Sequence, residues 1–356
     1  MFKRILSESL LALFIFLFCL HPVFPGGKGE SSGKAPASAN REPEWVRNPY
    51  SKYSEQAYVA AVGRGSSRDV AEKDALGRLI AIFGQSIQVE EKVSTIYQEA
   101  VENDVTKKSS EDTTLRSDIR TSASLGSLVG AENGETWDDG NGSFVTIALL
   151  NRAKADQTYT EMIKSNQLMI DNLLDMTAEE KNSFEGLSHY YLAAAIADVN
   201  ISYGNLLSVI GRPVQGLKIG DEYRLEAANI ARAIPVRLSV DNDKSGRIQG
   251  AFAKAFSDLG FRSGGSDSRY VLDVGIVTSP VNLSGNPNLF TRIELKADLT
   301  DSISGAVLLP YDFNIREGHT SQSEADNRAY MSAERKINQE YSVLLDDYLS
   351  RLLLKK

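Results

Sequence analysis

The strongest constraint on how this chain folds lies in its last stretch. From about Ser321 to Leu353, small and apolar residues recur at Ala325, Ala329, Ala333, Ile337, Tyr341, Leu345, Tyr348 and Leu352. Steps of three or four place them all on one side of an α-helix. A face held for about eight turns must be buried along its length, so the fold has to supply a surface roughly 50 Å long. Tyr270 to Val277, Leu289 to Leu299 and Val307 to Ile315 read as three strands before it. Ile234 to Val240 reads as an earlier strand, followed by a helix from Arg247 to Leu259 with Ile248, Phe252, Phe256 and Leu259 on one face. The order is βαβββα. Strands of ordinary length cover only about 20 to 25 Å. On that estimate Tyr341, Leu345, Tyr348 and Leu352 project past the sheet and form the candidate partner surface. Packing of the same residues on the middle of the chain is the competing expectation.

The same α+β character opens the folded region. Tyr58 to Val62 predicts a short strand ending at Gly63, and Ser66 or Ser67 caps a helix with Ala71, Ala75, Leu79 and Phe83 on one face. Ser86 to Thr95 alternates like a strand, whereas Gln98 to Ser117 has no clear period and reads as a long loop or frayed helix. Asp118 to Val129 alternates again. Asp139-Gly140-Asn141-Gly142 is a tight-turn signal, since Asp-Gly and Asn-Gly accept positive φ. Phe144 to Leu150 then returns as an apolar strand.

Between these units the pattern is helical. Asn151 to Met176 is one helix, and a second runs from the Thr177-x-x-Glu180 capping box through an alanine-rich segment to about Ile210. Gly211 and Pro213 stop it, and Asp221 to Ala233 predicts a third. The chain therefore reads as two small α+β, sandwich-like domains joined by a helical segment, after a signal sequence. The boundaries are 1–29 signal sequence, 30–42 linker, 43–150 first domain, 151–233 helical segment and 234–356 second domain.

The leader reading rests on Lys3 and Arg4 followed by the unbroken apolar run Leu10 to Leu20. That run is too short to span a bilayer and has the length of a secretory core. Cys19, the only cysteine, sits at its end and is a candidate lipidation site, although Phe18 stands where a lipid-attachment motif places a small residue. Lipidated and soluble forms both remain open. A chain with one cysteine holds itself together by packing, without internal disulfides. Net charge is −8 with no lysine or arginine cluster on a predicted helix face. This disfavours a sequence-independent grip on nucleic acid, which needs a basic surface.

No motif for chemistry is complete. Val62-Gly63-Arg64-Gly65 has two glycines of a dinucleotide turn, but Arg68 occupies the place of the third. Asp241-Asn242-Asp243-Lys244-Ser245-Gly246 begins like a calcium loop, yet position twelve is Phe252 where a bidentate glutamate belongs. His189 and His319 lack carboxylate or cysteine neighbours at ligand spacing. The expectation is no catalytic residue, no metal and no cofactor.

The stretch Pro43-Glu44-Trp45, Tyr58-Val59-Ala60-Ala61-Val62-Gly63 and Ser67 to Ala75 resembles the twenty-kilodalton outer-membrane lipoprotein family. In that family a Pro-x-Trp lead-in precedes a strand ending in Val-Gly, a small-residue turn and a helix with Ala-x-x-x-Ala. The N-terminal domain of the flagellar assembly protein T is similar. Trp137 and the strand from Phe144 fit the closing hairpin. The resemblance covers about residues 43–160 and implies a non-enzymatic envelope protein of a Gram-negative bacterium, in the periplasm or outer membrane. Its partners would be other envelope proteins, and the membrane through any lipid anchor. A scaffold or assembly factor is the leading expectation, and a ligand-binding module or adhesin using a cleft is the alternative.

Overall fold

The computed structural model describes residues 41–84, 91–102 and 128–354. The described residues from Glu42 onward pack as one compact unit. The leader with Cys19, the linker to Asn40 and most of the 118–129 segment lie outside the described residues.

Two 3₁₀ turns, Glu44–Val46 and Pro49–Ser51, lead into strand β1 (Tyr58–Gly65) and helix α1 (Arg68–Phe83). Ser67 caps α1 through its hydroxyl, which accepts from the Val70 N–H, and Gly84 ends it. Helix α2 (Glu91–Glu102), strand β2 (Ala131–Asp138) and strand β3 (Phe144–Asn151) follow. β3 lies between β1 and β2, antiparallel to both. Its apolar run is explained by burial on both faces. Ala148 and Leu150 meet α1 and the helical layer, while Val145, Ile147 and Leu149 meet Trp45 and Val46. The turn between β2 and β3 has positive φ at Gly140 and Gly142, as the Asp-Gly and Asn-Gly pairs predict.

Residues 91–95, expected in a strand, instead begin α2. Val93, Ile96, Tyr97 and Ala100 are its buried face. That spacing is helical, and it becomes visible only when the window extends past Thr95.

Helix α3 (Arg152–Leu174), a short α4 (Ala178–Lys181), α5 (Phe184–Val209) and α6 (Gly220–Ala233) form the middle layer. The Thr177–Glu180 capping box is present, but it starts only the single turn of α4. Ser183 caps α5 afresh, where the sequence predicts one continuous helix. Gly186 explains the break: a Cβ there would lie 2.3 Å from the Glu180 carbonyl oxygen, so the two segments cross in contact. Among the described residues α5 is the one helix long and apolar enough to cross a membrane, and 72% of its most apolar window is buried within the protein. It is apolar on all sides because it is the central core helix.

Strand β4 (Pro235–Asp241), helix α7 (Arg247–Asp258), the two-residue β5 (Arg262–Ser263), β6 (Tyr270–Val281), β7 (Leu289–Asp301), β8 (Ala306–His319) and helix α8 (Gln322–Arg351) complete the chain. The second sheet has the order β5-β4-β6-β7-β8, with β4 parallel to β5 and β6 and the remaining pairs antiparallel. Helices α7 and α8 cover one face. The fold is α+β with two sheets, each backed by helices.

Candidate functional site

The partner surface expected at Tyr341, Leu345, Tyr348 and Leu352 lies at the C-terminal end of α8. Tyr341 and Leu345 are fully buried, Tyr348 is buried and Leu352 is half-buried. All four belong to the core between α8 and the second sheet. Tyr341 sits edge-on to Phe252, Phe256 and Tyr311, with ring centroids at 4.8, 5.9 and 5.4 Å. Burial drives its phenol well above the usual range. These side chains are not a free surface, which corrects the expectation. The reason is strand length: β6, β7 and β8 run 12, 13 and 14 residues. At about 3.3 Å per residue they extend some 40 to 45 Å, matching the helix.

The candidate chemistry motifs resolve as backbone geometry. A Cβ on Gly63 would meet the Ala75 backbone nitrogen at 2.1 Å, and one on Gly65 would meet that of Ala71 at 2.5 Å. The two glycines and the alanine face of α1 therefore let strand and helix touch. Asp74 ties them further, accepting from the Arg64 N–H at 2.9 Å, and this bond together with Arg78 lowers its carboxyl below the ordinary range. In the Asp241–Gly246 turn, Asp243 accepts from the Gln249 N–H at 2.9 Å and from the Ser245 hydroxyl at 3.3 Å. Its carboxylate caps the first turn of α7, and Phe252 is fully buried. Among the described residues no group of histidine, cysteine or carboxylate side chains is arranged to hold a metal ion.

Among the described residues a concavity lies at the junction of α3, α4, α5 and the residue before β6. It encloses about 440 Å³ and is lined by Asp175, Glu179, Glu180, Glu185, His189 and Arg269, among others. His189 Nδ1 lies 2.5 Å from the carbonyl oxygen of Leu173, in the last turn of α3. Glu180 is engaged by the Thr177 backbone N–H and hydroxyl, which lower its carboxyl. Arg269 reaches Asp301 through two hydrogen bonds of 2.8 and 3.1 Å and lies over the Tyr270 ring. That pairing holds the Asp301 carboxyl below its ordinary range. The cleft presents carboxylates around a cation already neutralised, so it suits a basic or polar group. The sequence did not reveal it, because its lining comes from four separate elements; the capping box at Thr177 was its only visible trace.

A second surface lies on the outer side of the first sheet. Trp45 is buried there, with Tyr50, Tyr53, Tyr58 and Trp137 half-buried around it. Tyr53 and Tyr58 meet edge to face at 5.7 Å. The Trp45 lead-in thus closes the sheet with aromatic rings that still reach solvent.

Residues 43–151 match the LPP20 lipoprotein family, the span from the Trp45 lead-in to the end of β3. No curated relative matches. Several solved structures are similar, among them these three. The secreted protein HP1454 of Helicobacter pylori is 14% identical, covering 79% of this chain and 97% of its own, with a TM-score of 0.40. A minor lipoprotein of Acinetobacter baumannii is 14% identical over 31% of this chain and 90% of its own, at 0.25. Lipoprotein GNA1162 of Neisseria meningitidis is 14% identical over 29% and 99%, at 0.20.

Proposed function

We propose that this chain is an exported, non-enzymatic protein of the cell envelope that acts as a scaffold or assembly factor through protein contacts. The observation that carries the reading is the match of residues 43–151 to a lipoprotein family, downstream of a leader-like segment ending near Cys19. Other envelope proteins are the partners it implies, with membrane attachment through Cys19 if that residue is acylated. Fractionation tests the first step. The protein should be found in the envelope, with a mature N-terminus beyond Leu20 or at Cys19, and full-length protein in the cytoplasm would overturn the proposal. Labelled palmitate lost on Cys19→Ala would assign the lipidated form. Crosslinking in intact envelopes should then recover defined protein partners.

The cleft beside Arg269 supports a second reading, a module that binds a small basic ligand. Its carboxylates supply complementary charge, and its volume lies within the range of small-molecule sites. Glu185→Lys should abolish such binding while leaving envelope partners in place, so the two readings separate.

A further inference from the structure

Strand β8 is the outer strand of the second sheet, paired with β7 on one side only. Among the described residues no strand neighbours its other side, which carries a row of backbone groups of the kind that templates another strand. Pro310 sets the phase of that row. Proline has no N–H and is accommodated inside a strand where its nitrogen faces away from the neighbour. With Pro310 opposite Asp298, the even-numbered residues from 310 to 318 direct their N–H and C=O groups outward, because these alternate along a strand. The side chains of Asp312, Asn314 and Arg316 stand exposed on the sheet face opposite α8. Tyr311, Phe313 and Glu317 point the other way, against Glu340, Lys336 and Ser332 of α8.

We propose that β8 is a self-recognition edge, through which two copies of this chain pair antiparallel about a two-fold axis at Asn314. The argument is charge complementarity. A symmetric pairing matches even with even residues, so only a few registers are open. Centring on Asp312 sets two aspartates face to face, and centring on Arg316 sets two arginines face to face. Centring on Phe313 or Ile315 leaves both charges opposite uncharged residues. Centring on Asn314 places Asp312 of each copy opposite Arg316 of the other. The same register brings Phe313 against Ile315 and Tyr311 against Glu317 across the new seam. Opposite charges and apolar pairs are the favoured cross-strand neighbours, and like charges oppose pairing.

The chain's own pairing leaves these charges available. Arg316 stands directly across from Arg292, with its guanidinium over the Phe290 ring at 5.8 Å, and makes no ion pair among the described residues. Asp312 stands across from Lys296, which is held by Asp298 at 2.7 Å. At the far end Pro310 meets Gly318 of the second copy, whose N–H can donate to the Pro310 carbonyl. The missing proline donor falls at the periphery of the seam. The result joins two five-stranded sheets into one continuous sheet with both α8 helices on the same face.

Sedimentation of the purified protein over a concentration series tests this. Wild type should associate to a dimer. Asp312→Arg and Arg316→Asp should each weaken the dimer about tenfold, since each change creates like-charge contacts in two symmetry-related places. The double reversal should restore affinity to within about threefold of wild type. Circular dichroism checks that the variants fold, which their exposed positions favour. A wild type that stays monomeric at about 100 μM overturns the proposal. A dimer indifferent to the single reversals, or one not rescued by the double, overturns it equally. None of these outcomes depends on export or on any envelope partner.

Discussion

At the residue scale, position by position, close approach matters more than chemistry. Gly63 sits where strand β1 and helix α1 touch, and an alanine methyl there would have to overlap backbone atoms that cannot swing aside. Gly63→Ala should cost about 3 kcal/mol in urea unfolding, at the upper end of overpacking effects. Gly77, on the exposed side of the same helix, has open space where its Cβ would be. Gly77→Ala should therefore stabilise by about 0.5 to 1 kcal/mol, through helix propensity and a less flexible unfolded chain. Asp301 gives a pH signature. Its folded carboxyl is held below the unfolded value chiefly by Arg269, so its contribution is complete above about pH 4 and is lost as pH falls through the folded value. Asp301→Asn should cost about 1 kcal/mol near pH 6, discounted because Arg269 is partly exposed. The difference from wild type should vanish toward pH 2. A constant difference across that range would mean that packing, not charge, accounts for the loss.

At the element scale, α8 is the member whose removal tests the architecture. Tyr341 fills the space among Phe252, Phe256 and Tyr311, whereas Val343 two residues on is 64% exposed. Tyr341→Ala should destabilise by about 3 to 5 kcal/mol, and Val343→Ala by less than about 0.5. Truncation after Asn338 should leave a remainder that no longer melts cooperatively, because it uncovers the sheet beneath Tyr341 and Leu345. A folded remainder would show that the end of α8 is dispensable to the core. Helix α2 is held differently, by a polar ladder. The Tyr97 hydroxyl donates to Asn166 at 2.9 Å, and Asn166 donates to Asn200 at 2.8 Å, all three buried. Much of this scale was legible in the sequence. The caps at Ser67 and Thr177, the stops at Gly84 and Gly211, and the period of α1 and α8 all act within a few residues. The beginning of α2 and the break at Ser183 were not legible, because each depends on what the segment packs against.

At the scale of the whole molecule, the two sheets are joined by shared helices. Phe184 at the start of α5 stacks on Tyr270 of the second sheet at 3.7 Å, while Leu192 and Leu206 of the same helix lie in the core of the first. Ion pairs Lys92–Asp346 and Arg351–Glu99 tie α2 to the end of α8, and Leu354 reaches into the first core. Unfolding followed by calorimetry should therefore show one transition for residues 42 onward, and two resolved transitions would contradict this coupling. The sequence by itself determined the α+β class, most helix and strand positions, the small-residue contact of β1 with α1, and the lipoprotein-like character of the first unit. These follow from periodicity, capping and turn chemistry, which are local. Only the tertiary structure decided that the stripe on α8 is core, that carboxylates from separate segments converge beside Arg269, and that β8 is left at an open edge. Each depends on strand lengths and element order in space, and those are set by packing between residues far apart in the chain.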